Sequence, residues 1–162
     1  CKNLKYNEYD NALYLGNNNN PYVALISAKS EDITNCTISD KCKVIAESAF
    51  RDCSRLTSVT IPDSVTFISN SAFRDCSRLT SVVMGNGVTS IGINAFSNCG
   101  SLKKVFYKGT DSQWENISIG YLGDSWYLAA ATRYYYSESQ PTESGNYWRY
   151  VDGKIVIWNK EN

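Results

Sequence analysis

Apolar residues recur along the middle of the chain at a fixed offset of 23 positions. Residues 51–59 read RDCSRLTSV, and residues 74–82 read RDCSRLTSV again. The same offset relates Ile45, Ile68 and Ile91, then Phe50, Phe73 and Phe96, then Leu56, Leu79 and Leu102, then Val59, Val82 and Val105. Carried backward, it sets Ile33, Cys36 and Ile38 against Leu56, Val59 and Ile61, and Cys42 against Val65. A repeat of this length that cannot bury its apolar side alone is stabilised by stacking on its neighbours, so the pattern predicts an array of coils. Within one coil, Leu56-x-x-Val59-x-Ile61 alternates as a short strand, with Val59 and Ile61 on one face. Pro62-Asp63 turns the chain, since proline cannot continue a ladder. Val65-x-x-Ile68 crosses back. Ser69-Asn70-Ser71 then supplies N-cap candidates for a short helical turn bearing Ala72-Phe73.

The flanks predict different elements. Ala12-Leu13-Tyr14-Leu15 and Tyr22-Val23-Ala24-Leu25-Ile26 read as a hairpin, with Gly16 and Asn17 to Asn20 as a solvated loop. Thr110-Asp111-Ser112-Gln113 matches a capping box opening a short helix with Trp114 and Ile117. Thr132 to Tyr136 is strand-like. Tyr147 to Val151, Asp152-Gly153 and Lys154 to Trp158 form a hairpin with a two-residue turn. Its more apolar face, Trp148, Tyr150, Ile155 and Ile157, is expected to pack on the end of the array. The fold class is therefore α/β: a short solenoid with one strand and one short helical turn per coil, an N-terminal β-hairpin and an aromatic-rich C-terminal cap. The expected divisions are 1–32, 33–107 and 108–162, with roughly three and a half coils in the array.

The motif Ala-Phe-x-x-Cys-x-x-Leu-x-x-Val-x-Ile-Pro-x-x-Val-x-x-Ile resembles the BspA-like leucine-rich repeat over about residues 33–107. Tyr14-Leu15-Gly16 with Pro21-Tyr22 resembles the segment that opens such arrays. Tyr107-Lys108-Gly109-Thr110 with Trp114 resembles the one that closes them in surface proteins of gut Firmicutes. The resemblance implies an exported, cell-surface protein of a family in which some members bind host matrix proteins. It brings no catalytic residues with it.

Composition narrows the chemistry. The chain holds 162 residues with 16 cationic and 16 acidic side chains, so its net charge is zero. A nucleic-acid binder needs a basic face to displace counterions, and a polybasic membrane anchor needs a cationic cluster. No apolar run approaches the roughly 20 residues of a spanning helix. Histidine is absent, which removes the commonest general base and metal ligand. The six cysteines form no Cys-x-x-Cys pair, so neither a metal nor a cofactor is expected. Cys53, Cys76 and Cys99 read as a column of buried, inert thiols. Cys1-x-x-Leu4 repeats the spacing of Cys53-x-x-Leu56, as if the sequence opened inside a preceding coil; a lipidated N-terminal cysteine is the alternative. The sequence has no initiator Met and no leader, and reads as a processed chain or a piece of a longer one.

No nucleophile–base or metal constellation emerges, so an enzyme is not expected. The candidate binding surface is the outward face of the strands. One column holds Asn35, Ser58, Ser81 and Lys104, and the next holds Thr37, Thr60, Val83 and Phe106. Ser58, Thr60, Ser81, Val83, Lys104 and Phe106 are the candidate ligand-binding residues, with an exposed Val83–Phe106 pair as apolar anchor. The expected partner is a host or matrix protein. Two alternatives stand beside it: a glycan stacked on Tyr135, Tyr147 or Trp158, and a structural spacer inside a longer surface protein.

Overall fold

The structure is a computed structural model that describes residues 3–120 and 126–158. Cys1, and with it the expectation placed on that residue, lies outside them. The chain opens with three antiparallel strands, β1 (Lys5–Tyr9), β2 (Ala12–Gly16) and β3 (Ala24–Ala28). The expected hairpin is β2–β3, with its second arm two residues later than read. β1 was not expected. From β3 onward the chain coils, and each lap lays down two parallel rungs. The smaller rungs are β4 (Val44–Ile45), β6 (Phe67–Ile68) and β8 (Ser90–Ile91), and the larger are β5 (Ser58–Ile61), β7 (Ser81–Met84) and β9 (Lys104–Tyr107). Register follows the 23-residue offset: Val59 opposes Val82 and then Val105, and Ile45 opposes Ile68 and then Ile91.

Between the two rungs the expected helical turn is a run of tight turns with no α-helix. In one lap Ala49, Arg51 and Cys53 donate their N–H groups to Ala46, Ser48 and Phe50 carbonyls. The alternate N–H groups, of Ser48, Phe50 and Asp52, donate to Asn70, Ala72 and Arg74 carbonyls of the next lap. From Ser48 to Cys53 every backbone N–H is thereby used, which is what burial demands. The geometry needs left-handed backbone at Ser48 and Asp52, at Ser71 and Asp75, and at Asn94 and Asn98. Short polar residues adopt it most readily after glycine. Asn70 does not cap a helix; its side-chain oxygen accepts the Ile93 N–H of the following lap.

The array is longer than the offset suggests. After β9 come α1 (Asp111–Glu115), β10 (Ser118–Ile119), α2 (Trp126–Ala130) and β11 (Thr132–Tyr136). β10 lies parallel beside β8, with Ser118 opposite Ser90, and β11 lies parallel beside β9, with Thr132 opposite Lys104. The chain thus makes a complete further lap, lengthened by α1, which carries the capping box expected at Thr110 and Gln113. β12 (Tyr147–Val151) and β13 (Lys154–Ile157) close the chain as the expected hairpin, with Asp152 and Gly153 both at positive φ. Among the described residues, one sheet runs β1-β2-β3-β4-β6-β8-β10 and the other β13-β12-β11-β9-β7-β5.

A single apolar core extends through the coil from Ala12 to Ala131. At its axis Phe50, Phe73 and Phe96 are fully buried and stacked, with successive ring centroids 5.0 Å apart and nearly parallel. That spacing equals the strand-to-strand distance of about 4.8 Å within error of a ring's offset. Tyr14 plugs the leading end; it is buried, and its hydroxyl accepts the Ser39 N–H.

Candidate functional site

Strand alternation decides which side chains reach the outer surface. Val59, Ile61, Val82, Met84, Val105 and Tyr107 turn into the core. Their neighbours turn outward and align by register: Ser58, Ser81, Lys104 and Thr132 in one row, and Thr60, Val83, Phe106 and Tyr134 in the next. Thr37 extends the second row through an isolated bridge to Thr60. Ser58, Thr60 and Lys104 are exposed, as are Asn35 and Thr37, and Ser81 is half-buried. The structure brings these residues together on one rigid face, whose backbone is held by the parallel ladder.

Val83 and Phe106 depart from expectation. They point outward but are only 6% and 5% exposed, so they do not form an open apolar anchor. The cause is the closing hairpin. β12 joins the larger sheet as the next strand beyond β11, and its Trp148 side chain reaches back over the outward Phe106. Trp148, at 0% exposure, meets the Phe106 ring edge-on at 5.5 Å, and its indole N–H donates to the Tyr107 carbonyl at 3.0 Å. Tyr134 stacks on Phe106 at 5.3 Å, and Tyr136 meets Trp148 edge-on at 5.2 Å. These groups make a second, smaller core. Tyr150 and Ile155, which share the Trp148 face, remain more than a third exposed at the hairpin tip.

The tail aromatics are differently engaged. Tyr135 turns toward the main core, meets Tyr107 edge-on, and donates its hydroxyl to the Asp111 carboxylate. Burial, followed by that carboxylate, raises its pKa. Tyr147 is half-buried. Trp158 is half-buried too; its indole N–H donates to the Ser137 carbonyl, and the Arg149 guanidinium lies 4.1 Å over its ring. Beside Trp158 a cleft of about 460 Å³ is lined by Ser144, Gly145, Asn146 and Ile157. A second cleft, of about 500 Å³, lies where residues 27–32 leave β3, against Ser48, Arg51 and Cys53.

Cys36, Cys42, Cys53, Cys76 and Cys99 are free, buried thiols. The Cys76 and Cys99 sulfurs each donate, at 3.1 Å, to the carbonyls of Phe50 and Phe73 in the preceding lap. A small apolar side chain with a weak donor suits that position. Burial pushes the Cys36 thiol up to about 12, and burial with Glu31 and Asp52 nearby pushes Cys53 up to about 11. The adjoining Cys99 sulfur, together with burial, drives Cys76 up as well. At neutral pH Cys36, Cys53 and Cys76 hold their protons and are not nucleophiles. Among the described residues no group of three or more His, Cys, Asp or Glu side chains could hold a metal ion, and no helix is long and apolar enough to cross a membrane.

Residues 27–121 match the BspA type leucine rich repeat region, in six copies. No curated protein matches the chain. Among solved structures it is similar to a leucine-rich repeat protein from Eubacterium ventriosum, with 24% identity and a TM-score of 0.60 over 84% of this chain and 34% of that one. It is also similar to a leucine rich cell surface protein from Faecalibacterium prausnitzii (25% identity, TM-score 0.46, 70% and 42% covered). A leucine-rich repeat protein from Bacteroides ovatus follows (20% identity, TM-score 0.46, 83% and 34% covered). The chain spans about a third of the length of the Eubacterium protein. With more than half of its residues matched and its laps stacked at the repeat's own register, the chain belongs to the BspA type leucine rich repeat family.

Proposed function

We propose that this chain is a non-enzymatic recognition module on a protein displayed at the cell surface, and that it contacts a host or matrix protein through the open part of the outward sheet face. In this reading residues 33–107 are the recognition array, 1–32 its leading flank and 108–162 its cap. The observation that carries it is the pair of aligned rows: Ser58, Ser81 and Lys104, with Thr37 and Thr60 beside them. A rigid, wide face with exposed hydroxyls loses little entropy on binding, which is how solenoids commonly recognise proteins. Val83 and Phe106 support this face from beneath the hairpin, a role different from the direct contact expected of them. The test is biolayer interferometry against a panel of purified extracellular-matrix proteins. Ser58→Tyr with Thr60→Lys, which adds bulk to the open rows, is expected to abolish the binding seen with the unaltered chain while leaving its circular dichroism unchanged. Failure of the unaltered chain to bind any member of the panel would sink the proposal.

A second reading, glycan binding, is favoured by the half-buried Trp158 at the rim of its polar cleft. It predicts that polysaccharide shifts the tryptophan fluorescence and that Trp158→Ala removes the shift. A flat titration eliminates it.

A further inference from the structure

We propose that the leading edge of the larger sheet is a docking strip for a short acidic polypeptide segment. The inference rests on the recognition reading and names the chemistry of its partner. Three successive laps contribute residues 53–61, 76–84 and 99–107 to this edge. They carry the exposed cations Arg55, Arg78, Lys103 and Lys104, and not one carboxylate, in a chain whose net charge is zero. Register sets Lys103 beside Thr80, whose own N–H is bonded to Thr57, and Lys104 beside Ser81 and Ser58. The same offset sets Arg78 beside Arg55. Four like charges therefore share adjacent rungs about 4.8 Å apart.

Four cations elsewhere in the chain have carboxylate partners: Lys29 with Glu8, Arg51 with Asp52, Arg74 with Asp75, and Lys108 with Asp63. On the strip the one ion pair among the described residues is Arg55 with Asp32, at 3.9 Å and largely exposed. Such a pair contributes little. Arg78, Lys103 and Lys104 have no ion pair among the described residues. An anionic partner would relieve the repulsion among them, and guanidinium forks suit carboxylates in particular.

The footprint favours a peptide over a long polyanion. From the Arg55 rung to the Lys104 rung is two strand spacings, about 10 Å. Three residues of extended chain span that distance at about 3.3–3.6 Å each. Beyond it on one side stand Asp32 and Asp10, the latter bonded to the Thr37 N–H. On the other side the outward positions of the next rung are Thr132 and Tyr134, and Arg133 between them turns back over the Trp114 ring. A polysaccharide polyanion would overrun the strip onto acidic surface; two or three carboxylates on one short segment would fill it.

Fluorescence anisotropy with the whole chain tests this, using a labelled hexapeptide SEDEDS and its uncharged counterpart SQNQNS. SEDEDS is expected to bind, SQNQNS not, and added salt to weaken the complex. Arg78→Gln, Lys103→Gln and Lys104→Gln together are expected to weaken it by at least about ten-fold. Lys41→Gln with Lys43→Gln, on the other sheet, should leave it unchanged. Circular dichroism confirms folding. Equal binding of the two peptides, no binding of either, or an unaffected triple variant overturns the inference. A heparin oligosaccharide that binds more tightly than SEDEDS and is lost in the triple variant assigns the strip to a polyanionic glycan and overturns the polypeptide assignment. If a matrix protein is lost with Ser58→Tyr and Thr60→Lys but kept by the triple variant, recognition stands and the acidic partner falls.

Discussion

Trp148 is the residue on which the shape of the outer face depends. Its side chain is wholly buried, donates one hydrogen bond, and meets Phe106, Tyr136 and Tyr150 edge-on at 5.5, 5.2 and 4.9 Å. Truncating a buried tryptophan to alanine costs about 3–5 kcal/mol. That loss falls on one small unit. β12 joins the sheet through only two register pairs, Tyr135 with Tyr147 and Tyr136 with Trp148. A two-stranded hairpin is at best marginally stable by itself in water. Trp148→Ala is therefore expected to release residues 147–157 as a unit while the coil persists, and to uncover Val83 and Phe106. Hydrogen exchange followed by mass spectrometry reads this directly. Amides of the hairpin should lose protection, and those of β5 and β7 should keep it. A fluorescent apolar dye should then bind the uncovered pair. Trp148→Phe, which keeps most of the buried area but not the N–H donor, should retain most of the protection. Unchanged hairpin protection in Trp148→Ala would refute the reasoning, and so would loss of protection through the whole chain at once.

Other perturbations separate the core from the surface. Phe73→Ala removes the middle ring of the stack and should lower unfolding stability by about 3–5 kcal/mol in urea titration; Phe67→Ala, on an exposed position, should change it by no more than about 0.5 kcal/mol. Thr110→Ala deletes the capping box of α1 and should cost about 0.5–2 kcal/mol by the same titration. Cys36 and Cys53 have folded-state pKa values above those of the unfolded chain, so the stability they contribute is complete below about pH 8.5. It should be lost progressively as pH rises toward their folded values of about 12 and about 11, seen as a falling denaturation midpoint across that window. In the native state at neutral pH the five buried thiols should resist an aromatic disulfide reagent and react once urea unfolds the chain.

Much of this architecture was legible in the sequence, for a physical reason. A strict offset reports stacking directly, because equivalent residues must occupy equivalent places in successive laps. Phe50, Phe73 and Phe96 are the clearest case. Local chemistry was legible where a motif closes on itself: the Asp152-Gly153 turn, and the reciprocal bonds of Thr110 and Gln113. β1 was not legible, because Lys5 to Tyr9 are polar or exposed and show no alternation. The last lap was missed because α1 lengthens it, and the offset that revealed the others no longer holds. At Val83 and Phe106 the alternation correctly set the direction of the side chains. Exposure depends on what covers them, and Trp148 reaches them only through the path of a distant hairpin.

The stacking of laps is tested most directly by a nuclear Overhauser spectrum of the chain with its phenylalanine rings selectively labelled. Ring protons of Phe73 should show cross-peaks to those of both Phe50 and Phe96, at the closeness that centroids 5.0 Å apart impose. Rings that show no mutual cross-peaks, in a chain whose dispersion proves it folded, would contradict the coil and every surface built on it.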